Sequence, residues 1–172
     1  MNATDFVVSF CFMLAITGAQ AVQASTRAAS RGETLVVATS GRLKVQVKIK
    51  THEIKIGERP AVIESSCTYS RTPCSVFDRI DITVNGKPLF VPRSAFCDLA
   101  DLNYAEIEVD QKASFLRLGG GDASEAYRAK IEFDATGVKR RTLSSDTEPN
   151  QPLQKLSTTS WLWGINLEHR PR

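Results

Sequence analysis

In the stretch LKVQVKIK at 43–50, Leu43, Val45, Val47 and Ile49 alternate with Lys44, Gln46, Lys48 and Lys50. Successive side chains of a strand point to opposite faces, so a period of two gives one apolar face and one wet face. A chain that repeats this pattern buries its apolar atoms by pairing strands and covering one side of the sheet. The pattern does repeat. Asp78–Val84 sets Ile80, Ile82 and Val84 on one side, and Ala126–Phe133 does the same with Tyr127, Ala129, Ile131 and Phe133. Tyr104–Val109, Ser114–Leu118, Val138–Leu143 and Thr158–Leu167 read as further strands, the last with Trp161, Trp163, Ile165 and Leu167 on one face.

Punctuation between these runs favours antiparallel neighbours. Asn85-Gly86 supplies the positive φ angles of a type I′ turn, so Ile80–Val91 reads as a hairpin. Pro88 lacks an amide donor and marks the second arm as an edge. Asp134-Ala135-Thr136-Gly137 is a turn by composition, and Ser144–Pro152 a polar loop. Arg93–Leu102 breaks the alternation. With Ser94 as N-cap, Asp98 in the first turn and Phe96, Leu99 and Ala100 at spacings of three and four, it predicts one short helix. The sum is a mainly β domain, an antiparallel sandwich or partly open barrel of about eight or nine short strands with one short helix.

The N-terminus reads as an export signal. Phe6–Ala19 is apolar and uncharged, and Ala19-Gln20-Ala21 and Val22-Gln23-Ala24 each offer small residues to a signal peptidase. The chain then divides into a signal peptide at 1–24, a flexible leader at 25–33, one β domain at 34–168 and a basic tail at 169–172. That places it in the bacterial periplasm or outside the cell, with no permanent membrane span after cleavage, since the run is shorter than the ~20 residues a bilayer requires. In an oxidising compartment Cys67 and Cys74, which bracket TYSRTP, are expected to pair. Such a loop stabilises by roughly 2–3 kcal/mol in the chain-entropy model. Cys97 is then expected as a small buried apolar residue, with the pairings 67–97 and 74–97 left open.

A formal net charge of +3 is mild, without the concentrated basic patch of a nucleic-acid binder. Lys44, Lys48 and Lys50 form one basic row, and Lys139-Arg140-Arg141 a cluster. Such surfaces suit an anionic envelope polymer, through binding that weakens with salt. No G-x-S-x-G elbow occurs, and His52 is the only imidazole inside the expected domain. The spacing of Cys and His fits no metal site, and Asp98, Asp101, Glu106, Glu108 and Asp110 match no calcium loop. The expectation is a chain that is not an enzyme and takes no cofactor or metal. The alternative is an envelope hydrolase using carboxylates near Asp98 or Asp122.

The most unusual stretch is Leu118–Tyr127, LGGGDASEAY. Three glycines let another surface approach the backbone, and function concentrates on loops. Gly120, Gly121, Asp122, Ser124, Glu125 and Tyr127 are therefore the candidate binding residues, presented to an envelope or host protein. A strand follows the glycines, where a phosphate loop would need a helix N-terminus.

CTYSRTPCSVFDRIDITVNGKPLFVPRSAFCDLADL, continuing through GGGDASEAYRAKIEFD, resembles a family of small exported bacterial β proteins of unassigned function. The resemblance implies a periplasmic β protein and no activity. Ser124 and Tyr127 also share the spacing of the SGxY loop of periplasmic inhibitors of invertebrate-type lysozyme, with Glu125 standing where that motif has its Gly. That likeness implies a lysozyme-like hydrolase as partner.

Overall fold

Alternation becomes strand wherever the chain is described. The computed structural model describes residues 22–55, 73–110 and 113–157. Within them run β1 (Val22–Arg27), β2 (Gly32–Ser40), β3 (Leu43–Ile54), β4 (Cys74–Val84) and β5 (Lys87–Leu89), then β6 (Leu102–Val109), β7 (Ser114–Gly120), β8 (Tyr127–Asp134), β9 (Gly137–Ser145) and β10 (Pro152–Ser157). They form two antiparallel sheets, six strands in the order β1-β6-β7-β8-β9-β10 and four in the order β2-β3-β4-β5, with no closed barrel.

The two apolar faces share one core. Val45, Val47, Ile49, Ile80 and Ile82 from the smaller sheet join Ile107, Leu116, Leu118, Ile131 and Phe133 from the larger one. Each such side chain contributes roughly 1.5–3 kcal/mol by leaving water, which is why register is strict: a slip of one residue would turn these positions outward. Asn85 and Gly86 carry φ of 49° and 78°, and Val84 faces Lys87 across the turn, as the hairpin reading required. Pro88 lies on β5, an edge of the four-stranded sheet.

Three expectations change. Arg93–Leu102 holds a single 3₁₀ turn, Arg93–Ala95, preceded by Pro92 with no side-chain cap from Ser94. Phe96 packs on Phe77 with ring centroids 6.2 Å apart, Ala100 bridges to Val76, and Leu102 already belongs to β6. Apolar spacing of three and four here reflects an irregular segment filling the core, not a helical face. Second, Ser25–Glu33 holds the end of β1 and the start of β2 instead of a flexible leader. Its connector is tied by Ala28 N–H to Asn103 O (2.9 Å) and by Thr51 Oγ1–H to Ala29 O (3.0 Å). Third, the polar loop after β9 is followed by an edge strand, β10, that its composition did not announce.

Cys74 is buried at the start of β4, and Cys97 is half-buried where a buried residue was expected. No disulfide joins Cys74 to Cys97. Cys67, residues 1–21, the strand expected at 158–167 and the tail at 169–172 lie outside the described residues.

Candidate functional site

The β7–β8 connection is built around a close approach. Gly120 ends β7 directly opposite Tyr127, the first residue of β8. A Cβ on Gly120 would lie 2.5 Å from both Asp101 O and the Tyr127 hydroxyl; a bare backbone is what lets the phenol lie there. Tyr127 is only 8% exposed and belongs to the core. The alternation of Ala126–Phe133 set Tyr127 on the apolar face while the loop reading made it a binding candidate; it lies in the core, as a plug beneath the loop. Its hydroxyl is buried with no hydrogen-bond partner among the described residues. Burial, then the nearby Asp101 carboxylate, pushes the phenol far above its ordinary range, so it stays protonated.

Above that plug the backbone is braced from outside. Gly121 N–H donates to Asp101 O at 3.0 Å, and Asp146 N–H to Ala126 O at 2.9 Å. Asn103 Nδ2–H donates to Gly121 O at 3.1 Å. Asp101 is itself held by Ser75, whose N–H donates to Asp101 Oδ1 at 2.8 Å. Ala123–Glu125, which includes Ser124, forms one 3₁₀ turn at the tip, with Ala123 at φ 46°. Asp122, Ala123 and Glu125 are exposed. The candidates therefore divide: Gly120 and Tyr127 are framework, Gly121 is a braced turn residue at φ 76°, and Asp122 and Glu125 form an acidic tip.

Beside the tip lies a cavity of about 190 Å³ whose walls include Asp98, Leu99, Glu125, Tyr127, Leu143 and Leu153. Leu153, on β10, is 71% exposed. Asp98, in that wall, accepts from Arg141 Nη2–H at 2.9 Å, and Arg141 Nη1–H donates to Gln154 Oε1 at 2.8 Å. Arg141 is only 1% exposed, so the expected Lys139-Arg140-Arg141 cluster is dispersed. Lys139 pairs with Asp134 and Arg140 with Glu132, each on the surface. Sequence reading missed Arg141 because its neighbours are surface cations; the β8–β9 register shift between Glu132 and Phe133 accompanies the break in simple alternation there.

A second, open cleft of about 570 Å³ crosses the outer face of the six-stranded sheet. Arg117, Arg128, Lys130 and Arg140 line it with two carboxylates, Glu106 and Glu132. Lys130 Nζ sits 3.7 Å from the Phe115 ring centre. Partial desolvation, then the Arg117 charge, lowers its pKa. The Lys44–Lys50 row lies on the outer face of the other sheet, with Lys48 paired to Glu33 at 3.5 Å. His52, on β3, is an exposed partner of Asp78 at 2.6 Å. No group of acidic, His and Cys side chains able to hold a metal occurs among the described residues, and no described helix is long and apolar enough to cross a membrane.

Fold and site together define a two-sheet antiparallel β protein carrying a braced acidic loop. Comparison with protein-family models, curated proteins and solved structures gives no match.

Proposed function

We propose that this chain is an exported, non-catalytic binding module that engages a protein partner with the Gly119–Tyr127 end of the sandwich. The observation that carries this reading is a loop whose backbone is fixed by Asp101, Asn103 and Asp146 while Asp122 and Glu125 stay exposed. A braced loop loses little conformational entropy on binding, and that improves affinity without further contacts. Carboxylates beside a leucine-walled cavity favour a Lys or Arg side chain of the partner, its alkyl stem against Leu99 and Leu153 and its charge toward Glu125. The periplasmic setting, the Cys67–Cys74 disulfide and a lysozyme-like partner belong to this reading as proposals. A hydrolase using Asp98 fits less well, because the buried Arg141 already engages that carboxylate at 2.9 Å.

The test immobilises the wild-type protein, an Asp122→Ala/Glu125→Ala variant and Tyr127→Phe, all checked for folding, against envelope and host-fluid extracts and purified invertebrate-type lysozyme. A partner held by wild type and Tyr127→Phe but lost by the double variant supports the reading. Equal retention by all three removes the loop from the interface.

The cleft over the six-stranded sheet favours a second reading, an anionic envelope polymer. Its specific support is Lys130, flanked by Arg117 and Arg140. Retention on polygalacturonate that falls with salt and with Lys130→Gln supports it, and retention unchanged in high salt removes it.

A further inference from the structure

All six residues of β1 pair in register with β6, from Val22 opposite Val109 to Arg27 opposite Tyr104. Val109 is the last residue of β6, so among the described residues the ladder on this edge runs to Val22. The strand also follows the pleat. Val22, Ala24 and Thr26 are half-buried while Gln23, Ser25 and Arg27 face solvent, and Ala24 packs against the core. The Gln23 side-chain amide donates to the Glu106 carboxylate. This is a working edge strand along its whole length.

Two sites for a signal peptidase compete at this point. A cut after Ala24 would remove Val22, Gln23 and Ala24, the partners of Val109, Glu108 and Ile107. It would leave that stretch of β6 as a bare edge, with unpaired amides and carbonyls open to other strands. A cut after Ala21 leaves β1 whole. The recognition residues agree with the fold: Ala19-Gln20-Ala21 puts Ala at both −3 and −1, whereas Val22-Gln23-Ala24 puts Val at −3.

We propose that the mature protein begins at Val22, released by hydrolysis of the Ala21–Val22 peptide bond. Water adds across that bond; Ala21 leaves as the carboxylate end of the leader, and Val22 keeps a free α-amino group. The inference rests on the export reading, and it moves the end of the signal peptide from Ala24 to Ala21. The leader is then discarded at the boundary where the sheet starts.

The experiment expresses the full chain with its own leader in a secreting bacterium and reads the N-terminus of the exported protein by intact mass and N-terminal sequencing. A start at Val22 is expected. A start at Ser25 overturns the inference and leaves export standing; an uncut chain that is not exported overturns both. Ala21→Leu alters −1 of one site and neither −1 nor −3 of the other, so it is expected to abolish the Val22 product. An N-terminus unchanged by Ala21→Leu overturns the assignment. Leaderless chains starting at Val22 and at Ser25 separate structure from processing. The longer is expected to melt at least about 5 °C higher, and equal melting temperatures overturn the structural half of the argument.

Discussion

β8 is bounded by a turn that holds itself and by a loop that other parts of the chain hold. At its C-terminal end, Asp134 Oδ1 accepts from Thr136 N–H at 2.7 Å, Thr136 Oγ1–H at 2.6 Å and Gly137 N–H at 3.2 Å, and Lys139 lies 3.2 Å from the other oxygen. Every one of those partners is within five residues. At its N-terminal end, Gly121–Ala126 is positioned by Asp101, Asn103 and Asp146 and by the Tyr127 plug. A self-held turn needs its polar side chains for its own geometry. On the loop held from outside, Asp122 and Glu125 stand exposed at the tip.

Perturbing the braces should separate the two ends, and the largest effect is expected at the plug. Tyr127→Ala should cost about 3–5 kcal/mol in denaturant unfolding, the range for deleting a buried aromatic. A loss below about 1 kcal/mol would mean that the plug does not support the loop. Arg141→Ala comes next. Breaking a fully buried pair costs about 3–5 kcal/mol, and because Asp98 is 37% exposed we expect about 2–3 instead; denaturant midpoints check it, and no change would detach Arg141 from this end. Gly120→Ala should lose about 1–3 kcal/mol by overpacking against Asp101 O and the Tyr127 hydroxyl. An unaffected midpoint would show that the close approach can relax.

The smaller effects sharpen the contrast. Partial burial works against ionisation of Asp134, but hydrogen bonds from Thr136 and Lys139 outweigh it and hold its pKa at about 2, against an ordinary 3.8. A depressed folded-state pKa means that its contribution is present above the ordinary value and is lost as pH falls through about 4 to 2. Asp134→Ala should flatten that acid slope without changing partner binding, as a self-held turn predicts; an unchanged slope would remove Asp134 as its source. Tyr127→Phe is expected to be the mildest, within about 0.5 kcal/mol, because its hydroxyl has no hydrogen-bond partner to lose. A clear destabilisation on thermal melting would show that the hydroxyl is anchored after all.

Legibility in the sequence followed the range of the interaction. The β4–β5 hairpin was readable from Asn85-Gly86, and the Asp134–Gly137 turn from its composition, because the forces are local. The acidic tip was readable as an exposed loop, but Tyr127 was not readable as its plug. Its place depends on Gly120 and Asp101 O, which come together through strand pairing. The short helix expected at 93–102 failed for the same reason. Phe77 and Val76 capture Phe96 and Ala100 from another strand, and those contacts outweigh the helical spacing.

By itself, the sequence determined a mainly β chain, the faces of most strands and the position of the tight turns, since a period of two and positive φ angles are properties of neighbouring residues. Only the tertiary structure decided that the ten described strands divide six and four and that Ser25–Arg27 belongs to a sheet. It also turned Arg141 inward to Asp98 and placed Tyr127 under the loop. Those outcomes rest on pairings between residues far apart in the chain, whose energies depend on which strand lies beside which, and alternation specifies faces without specifying neighbours.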